Sequence, residues 1–201
     1  MNKTICLALT GASGMPYGLR LLEHLLAAGC RVQLLYSQAA QVVARQEMDL
    51  ELPSRPAETK AALLARYPAV DPEKLVVFGR EEWFAPVASG SNPPDAMVVC
   101  PCSMGTLAAI AQGLADNLIE RAADVVLKEG RKLILVPRET PLSAIHLENM
   151  LRLARAGAVI LPPSPGFYHR PQTVAEVVEF VVARVLDQLA VPHTLMQRWG
   201  E

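Results

Sequence analysis

TICLALTGASGMPYGLR, residues 4–20, is the stretch from which we predict the fold. Its apolar segment, residues 5–9, has the length of a buried strand and is followed by a glycine turn at residues 10–14. Beyond the turn, leucines recur at helical spacing at positions 19, 22, 25 and 26. A strand, a glycine turn and a helix together make an anion site, because the first N–H groups of the helix are unpaired and its dipole is positive at that end.

The glycine turn is predicted to hold the phosphate of a nucleotide-type cofactor. Gly11 and Gly14 let the backbone approach a ligand, and the hydroxyl of Ser13 adds a donor. A tight turn without a ligand is the alternative. The dinucleotide pattern G-x-G-x-x-G requires glycine in place of Ser13, and the nucleophile elbow G-x-S-x-G requires glycine in place of Met15. Since G-x-x-x-x-G-K-[ST] is also absent, the sequence predicts neither a standard NAD site nor a standard ATP site.

Length and composition predict a single cytoplasmic domain that comprises residues 1–201. A formal net charge of −1 gives no indication of a nucleic-acid or membrane-surface partner. No apolar run approaches the roughly 20 residues that span a bilayer. We expect no signal peptide, because the first apolar run stops at the glycine turn and charged residues follow. The four cysteines lack redox or zinc spacing and are expected to be buried thiols in a reducing cytoplasm.

Hydrophobic periodicity predicts strands that alternate with helices along the whole chain. This alternation is typical of a parallel sheet with helices on both faces, in three layers. The last helix is expected to begin with a capping box formed by Thr173 and Glu176. After the first helix, which ends at Gly29, the predicted strands are 32–35, 75–78, 96–100, 132–136 and 158–161, and the predicted helices are 39–45, 57–66, 107–115, 118–128, 145–156 and 173–189.

Polar and charged residues follow several predicted strands, where open α/β sheets bind their ligands. Ser37 follows the second strand, and it could donate to a phosphate or to the edge of a flavin. The turn at 103–106 repeats the strand–turn–helix arrangement and offers a second set of donors. Arg138 and Glu139 follow a buried strand and are the strongest catalytic candidates from the residues alone. Glu47 lies near the same end of the sheet, either as a solvated carboxylate or as a functional one.

Several cationic and hydroxyl groups are expected to converge at these strand ends. Since one phosphate needs about two cations, their number indicates two phosphate-bearing ligands. A loop with Trp83 and Phe84 among serine, glycine and proline is interpreted as a binding edge or subunit contact, or as a plug over the core. The histidines are scattered without metal-type spacing, so no metal site is predicted. The converging groups are Ser13, Lys128, Arg138, Tyr168 and Arg184.

Short motifs along the whole chain together carry a resemblance to a known family. They are TGASG and YG at 10–14 and 17–18, ASGS at 88–91, CPCS and TL at 100–103 and 106–107, RAADV and LKE at 121–125 and 127–129, VPRETPL at 136–142, GFYH at 166–169 and RW at 198–199. With these motifs the chain resembles the flavin prenyltransferases, formerly labelled aromatic acid decarboxylases. The motifs are specific as a set, and no functional position departs from the family pattern.

The resemblance implies a Rossmann/flavodoxin-like fold and a homododecamer. It implies metal-independent transfer of a dimethylallyl group from dimethylallyl monophosphate to N5 and C6 of reduced FMN. The product, prenylated FMN, would serve partner decarboxylases of ubiquinone synthesis or aromatic acid breakdown. Cations would stabilise the charge that develops on the departing phosphate, and an aromatic wall would shelter an allylic cation.

The resemblance also implies which residues of this sequence form the site. The catalytic residues would be Glu139, Ser13 and Glu47, with Glu139 either handling a proton or fixing Arg138 in place. Trp83 and Trp199 would lie near the site, from neighbouring subunits. FMN would be held by Gly11, Ala12, Ser13, Ser37, Ser103, Met104, Gly105, Thr106, Arg121 and Arg138. The prenyl donor would be held by Lys128, Arg138, Tyr168 and Arg184, with Trp83 and Trp199 beside it.

Three other functions remain open at this point. An FMN-dependent cysteine decarboxylase would share the fold, but the helix after Ser37 contains no histidine, where the catalytic one of that family is expected. A short-chain-type nucleotide-binding protein would need a Tyr-x-x-x-Lys pair, which the chain lacks. A purely structural FMN-binding subunit would not need Lys128, Tyr168 and Arg184 together.

Overall fold

The computed structural model describes residues 3–196 and 200, and its centre is a six-stranded parallel sheet. Strands alternate with helices, as the hydrophobic periodicity predicts. The strands are β1 (Thr4–Leu9), β2 (Arg31–Tyr36), β3 (Leu75–Val77), β4 (Ala96–Cys102), β5 (Lys132–Pro137) and β6 (Val159–Ile160). The helices are α1 (Met15–Ala27), α2 (Gln38–Met48), α3 (Pro56–Arg66), α4 (Met104–Ala111), α5 (Leu118–Lys128), α6 (Ala144–Arg155) and α7 (Val174–Leu189).

The strand order is β3-β2-β1-β4-β5-β6, and every pair is parallel. From β1 the chain builds outward through β2 to β3, and then it crosses back to add β4 on the other side. The direction of winding therefore reverses between β1 and β4. This doubly wound order confirms the predicted Rossmann/flavodoxin-like α/β class, in which ligands bind at the carboxyl ends of the strands beside the reversal.

The first strand is apolar throughout because it contributes to two cores. Ile5, Leu7 and Leu9 pack on one face of the sheet with α1 and α7, whereas Cys6 and Ala8 pack on the other face with α4 and α5. All five side chains are fully buried. A strand covered by helices on both faces reads as a continuous apolar run, which is the pattern that predicted it.

Some element boundaries differ from the prediction. Strand β4 continues to Cys102, two residues past the predicted end, because Thr10 donates hydrogen bonds from both its backbone N–H and its hydroxyl to the Pro101 carbonyl. Helix α4 then begins at Met104 and ends at Ala111, instead of spanning 107–115. Its start is fixed by Ser103, whose side chain accepts a hydrogen bond from the Thr106 N–H.

The predicted capping box at α7 forms only in part. The Thr173 hydroxyl accepts a hydrogen bond from the Glu176 N–H, but the Glu176 carboxylate accepts from the Gln172 N–H instead of from Thr173. A reciprocal box forms at α6 between Ser143 and His146. Histidine is not one of the residues by which a capping box is recognised in a sequence, so this one was not predicted.

The four cysteines are free and buried, as expected. Burial raises the pKa of the Cys6 and Cys100 thiols well above their ordinary value and raises that of Cys102 to about 12. These thiols are therefore protonated packing groups. Within residues 3–196, no helix combines the length and apolarity needed to cross a bilayer.

Candidate functional site

The carboxyl ends of β1 and β4 are joined by Thr10, which is fully buried. Its hydroxyl donates to the Pro101 carbonyl over 2.7 Å and accepts from the Ser103 N–H over 2.8 Å. This pair of bonds fixes two turns side by side at the point where the winding reverses. We call residues 10–14 the β1 turn and residues 103–106 the β4 turn. The sequence predicted both turns as donor sets for one ligand, and the structure brings them together.

The N-terminus of α1 is already bound by a carboxylate of the protein. Glu47 accepts hydrogen bonds from the Gly14 N–H at 3.0 Å and the Met15 N–H at 2.8 Å, and the Ser13 hydroxyl also bonds to it. Glu47 lies in the last turn of α2, not after the helix as predicted. In this conformation a carboxylate, and not a phosphate, therefore binds the amides that the sequence predicted as a phosphate cradle.

The electrostatics of Glu47 follow from these contacts. Partial burial by itself would raise its pKa, because it penalises the charged form. The hydrogen bonds from Ser13, Gly14 and Met15 and the positive charge of Arg138 outweigh that penalty and hold the pKa of Glu47 below its usual value. Glu47 is therefore a fixed anion at neutral pH, and it makes the β1 turn a poor place for a second anion.

The glycines of the β1 turn are explained by the backbone and by a neighbouring helix. Gly14 has φ +119°, a conformation that other residues rarely adopt. A Cβ at Gly11 would lie 2.3 Å from the Cβ of Ala39, so Gly11 allows the close approach of α2. The prediction attributed Gly11 to the close approach of a ligand, and the structure shows that α2 requires it.

The β4 turn is arranged differently. The Ser103 hydroxyl caps α4 by accepting from the Thr106 N–H over 3.3 Å, and it bonds to the Thr106 hydroxyl over 3.0 Å. At Gly105, a Cβ would meet no atom within 4 Å, so space adjoins the first turn of α4. Among the described residues, no carboxylate binds the amides of this turn. Its positive dipole end is therefore not neutralised by the protein.

A cavity of about 350 Å³ lies between the two turns. Helices α2, α4 and α5 begin at it, and each is capped by a lining residue, namely Ser37, Ser103 and Asn117. Among the described residues that line it, Arg80 is the one with a charge. A cavity with three helix N-termini, one cation and no lining carboxylate fits a phosphate group. It is lined by Gly11, Ser37, Gln38, Ala39, Arg80, Ser103, Thr106, Asn117 and Ile119.

Two lining residues of the cavity, Arg80 and Asn117, were not predicted from the sequence. Arg80 follows β3 at its carboxyl end, and its carbonyl accepts a hydrogen bond from the Leu118 N–H over 2.9 Å. Arg138 was selected as a charged residue that follows a buried strand, and Arg80, three residues after the end of β3, has a similar position. Asn117 is signalled by its place just before an apolar periodic segment, since asparagine is a strong N-cap residue.

Arg138 lies at the β1 turn, as predicted. Its Nε donates to the Ser13 carbonyl over 3.3 Å, and its N–H donates to the Cys102 carbonyl. Glu139 instead turns to its own neighbour, and its carboxylate accepts from the Thr140 N–H over 3.1 Å. Within the described residues, Glu139 and Arg138 form no ion pair, so the suggestion that Glu139 fixes Arg138 in place is wrong for this conformation.

Lys128 does not join the other predicted groups within one chain. Helix α5 begins at the cavity and has 11 residues, so Lys128 at its end lies about 16 Å away, near the amino ends of the strands. There it pairs with Glu129 beside Gly90. Arg121, on the same helix, donates to the Ala88 carbonyl and pairs with Asp124 at 2.6 Å. The motifs ASGS and LKE therefore meet each other at Gly90, where Lys128 and Glu129 lie at the end of α5 that is remote from the cavity.

Tyr168 and Arg184 form a separate group along β6. The ring of Tyr168 lies 5.9 Å from that of Phe180, and Arg184 follows Phe180 one helical turn later on α7. Phe180 and Arg184 line one groove of about 330 Å³. Trp83 is 45% exposed in the loop after β3, whereas Val87 of that loop is buried, so the loop covers the core and also presents aromatic surface. Trp199 lies outside the described residues.

Comparison with known proteins identifies the family. Residues 1–186 match the model of the Flavoprotein family. The chain is 56% identical over 197 residues to the flavin prenyltransferase UbiX of Pseudomonas aeruginosa, covering 98% of this chain and 94% of that protein. It belongs to the flavin prenyltransferases. A UbiX of Methanothermobacter thermautotrophicus is 45% identical, covering 98% of this chain and 95% of that protein.

Solved structures of the flavin prenyltransferase family share this fold over its full length. A dodecameric FMN-dependent UbiX-like decarboxylase from Escherichia coli O157:H7 superimposes with a TM-score of 0.86 at 43% identity, covering 98% of this chain and 100% of that one. A UbiX in complex with FMN and dimethylallyl pyrophosphate gives 0.88 at 40% identity, with 100% and 99% covered. FMN-dependent cysteine decarboxylase TvaF gives 0.57 at 23% identity, which shows a shared fold alone.

Proposed function

We propose that this chain transfers a dimethylallyl group from dimethylallyl monophosphate to reduced FMN, and so makes prenylated FMN. The observation that carries the proposal is the cavity between the β1 and β4 turns, in a chain 56% identical to a flavin prenyltransferase. The cavity suits the phosphate of FMN, and the adjoining β1 turn carries Ser13, Arg138 and the fixed carboxylate of Glu47. The remote likeness to cysteine decarboxylases supports only a shared fold.

The phosphate of FMN would bind at the β4 turn and not at the β1 turn. Arg80 and the hydroxyls of Ser37 and Ser103 line the cavity there, whereas Glu47 would repel a phosphate from the α1 amides. The ring system of FMN would then extend toward Ala12, Ser13 and Arg138. The remaining family positions at this turn, Met104, Gly105 and Thr106, would contribute backbone donors and the hydroxyl of Thr106.

The prenyl donor would be bound by residues from more than one subunit. Lys128 lies near the amino ends of the strands, and Tyr168 and Arg184 lie along β6, so one chain does not gather them around the cavity of its own β1 turn. A homododecamer would allow neighbouring copies to contribute them, together with the exposed Trp83 and with Arg121. Cations and a tyrosine hydroxyl would stabilise the charge that develops on the phosphate as the allylic C–O bond breaks.

Within the reaction, this chain's residues would position groups and move a proton. Glu139 has only the Thr140 N–H as its hydrogen-bond donor among the described residues, so its carboxylate is available to accept a proton as the new ring closes. Ser13 and Glu47 form a hydrogen-bonded pair beside Arg138 and would orient the reacting edge of the flavin. No described residues form a cluster suited to a metal, and the proposed reaction needs none.

The setting of this reaction is also a proposal. Residues 1–201 would act as one flavoprotein domain in the cytoplasm, where the four buried thiols would stay reduced. The prenylated FMN would pass to a partner decarboxylase of ubiquinone synthesis or aromatic acid breakdown. The formal net charge of −1 gives no indication of a nucleic-acid or membrane partner.

The mass of the flavin released from the protein tests the proposal directly. Purified protein is incubated anaerobically with reduced FMN and dimethylallyl monophosphate, and the flavin is then extracted. The expected mass exceeds that of FMN by one C5H8 unit, because phosphate leaves as the prenyl group is added. Matched incubations with dimethylallyl diphosphate or without donor identify the donor. If the protein binds FMN but the complete reaction yields only unmodified FMN, the proposal is contradicted. The protein would then be a flavin carrier.

A further inference from the structure

Arg184 is held by a chain of two further side chains at the end of α7. Its Nη1 lies 2.6 Å from Oδ2 of Asp187, and Oδ1 of the same carboxylate lies 3.1 Å from Nε2 of His193. The His193 side chain is only 8% exposed, whereas that of Arg184 is 49% exposed. The three hydrogen-bonded side chains therefore connect a buried imidazole, through a carboxylate, to an accessible cation.

Asp187 has no favourable role in the helix that carries it. It lies in the last turn of α7, where the helix dipole is negative and an acidic residue is unfavourable. The final carbonyls of the helix are bonded by lysines from other elements: Lys132 donates to Gln188, and Lys3 donates to Leu189. Because an acidic residue is unfavourable at this position of the helix, we attribute the presence of Asp187 to the groups that its carboxylate binds.

The hydrogen bonds of His193 fix which of its nitrogens carries a proton. Nδ1 accepts from the Leu195 N–H over 3.4 Å, so the neutral ring carries its proton on Nε2 and donates to Asp187. The Asp187 carboxylate thus receives a donor on each oxygen, which fixes its orientation. A carboxylate held in this way restricts the rotamers of Arg184, whose long side chain would otherwise be mobile.

Among the described residues, Asp187 is the hydrogen-bond partner of the Arg184 side chain, so the remaining donors of Arg184 can bind another anion. A guanidinium has five N–H donors, and Asp187 engages one terminal nitrogen. Among the described residues that line the groove along β6, Arg184 is the one with a charge. Ser164 and Phe180 line the same groove, and the ring of Tyr168 packs against Phe180. The groove therefore combines one oriented cation with a hydroxyl and aromatic surface.

We propose that Asp187 and His193 are positioning residues, which hold Arg184 in the orientation that binds the phosphate of the prenyl donor. The inference rests on the proposed function, since that function assigns Arg184 to the donor phosphate. In this proposal Asp187 and His193 bind neither ligand themselves, and their effect on the donor is exerted through Arg184. Losing them should therefore weaken donor binding and leave flavin binding and the chemical step unchanged.

Donor affinity and turnover, measured on the same variants, test this inference. Calorimetry of protein loaded with oxidised FMN gives the Kd for dimethylallyl monophosphate without turnover, and steady-state assays with reduced FMN give KM and kcat. Asp187→Asn should raise Kd and KM roughly 10-fold, a common effect for directly coupled groups, with kcat and FMN affinity within about 2-fold of wild type. His193→Phe should act in the same direction, whereas His193→Gln, which keeps an amide donor, should restore most of the affinity.

A matched control and a double variant separate positioning from a general structural role. Glu179 lies on the same helix and pairs with Arg20 at 2.5 Å, away from Arg184, so Glu179→Gln should leave donor affinity unchanged. In an Arg184→Ala background, Asp187→Asn should cause no further loss. Additive losses, a fall in kcat or FMN affinity, or tighter donor binding in Asp187→Asn would overturn the inference. Wild-type protein that binds the donor without turnover would contradict the proposed function instead, and wild-type protein that does not bind it would overturn both.

Discussion

The β1 turn and the β4 turn are built alike, but a carboxylate binds the helix N-terminus at the first and a neutral hydroxyl caps the helix at the second. Each follows a buried strand, contains small residues and begins a helix at the point where the sheet reverses direction. At the β1 turn, the amides of Gly14 and Met15 are bound by the carboxylate of Glu47. At the β4 turn, Ser103 caps the helix with a neutral hydroxyl, and Arg80 lines the adjoining cavity.

This difference shows that a strand–turn–helix motif defines an anion site but not its occupant. The carboxylate that fills the β1 turn comes from 33 residues away in the sequence, at the end of another helix. One helix N-terminus is thereby occupied by the carboxylate of Glu47, whereas no carboxylate of the described residues occupies the other. Under the proposed function, the β1 turn would provide charge for the reaction and the β4 turn would bind the phosphate of FMN.

The largest expected effect comes from replacing Glu139, which is the accessible carboxylate, whereas Glu47 is the one fixed at the β1 turn. Glu139→Gln should slow product formation by roughly 10²–10⁴-fold, because it removes a proton acceptor but keeps the size of the side chain. FMN and donor affinities should be unchanged. Single-turnover mixing of protein loaded with reduced FMN and the prenyl donor measures the rate. A wild-type rate would exclude Glu139 from the mechanism and leave the pair of Ser13 and Glu47 as the proton-handling groups.

Removing the cation at the β4 turn should weaken FMN selectively. Arg80→Met should raise the Kd for FMN roughly 10- to 100-fold, because a charge-assisted contact to phosphate is lost. The Kd for riboflavin, which lacks the phosphate, should not change. Flavin fluorescence quenching on titration measures both constants. Arg55→Met, which removes an exposed arginine paired with Glu58, is the matched control. Equal losses for FMN and riboflavin would place the phosphate elsewhere.

Removing the carboxylate at the β1 turn should open that turn to anions. Glu47→Ala should lower the free energy of unfolding by about 1–2 kcal/mol, since helix amides lose their cap. Inorganic phosphate should then stabilise the variant more than the wild type, because it binds the vacated amides of the folded state. Urea denaturation with and without phosphate measures both effects. Equal stabilisation of the two proteins would show that Glu47 does not keep anions out.

The pH dependence of stability gives a smaller effect at the same turn. The pKa of Glu47 is depressed in the folded protein, so its contribution is present above the unfolded value of about 4.3 and is lost as pH falls through the folded pKa. The stability advantage of wild type over Glu47→Gln should therefore shrink in acid. Unfolding free energies of both proteins, measured from neutral pH down through this range, test the sign. An advantage that grows in acid would contradict it.

The smallest expected effect is at the cap of α4. Ser103→Ala should cost about 1 kcal/mol of stability, because the Thr106 N–H loses its acceptor. The FMN affinity should fall less than in Arg80→Met, since a neutral donor is weaker than a charged one. Thermal and urea unfolding measure the loss of stability, and flavin titration measures the FMN affinity. An FMN loss greater than that of Arg80→Met would make the hydroxyl, and not the charge, the main phosphate contact.

The fold was predictable because each of its signals is local. The apolar run at residues 5–9 is continuous since both faces of β1 are covered, and the leucines of α1 have helical spacing. The two turns were predicted for the same reason. The contact of Glu47 with Gly14 was not, because no local pattern specifies where a long side chain will reach from another helix. The separation of Lys128 from the cavity was missed because a motif gives no information on which end of its helix faces the site.

The position of the FMN phosphate tests most directly whether the β4 turn binds the phosphate while Glu47 occupies the β1 turn. A crystal structure of the FMN-loaded protein should show the phosphorus atom in the cavity at the β4 turn, within contact of Arg80 and Ser103, with Glu47 still bonded to the amides of Gly14 and Met15. A phosphate on the Gly14 and Met15 amides, with Glu47 displaced, would contradict the account.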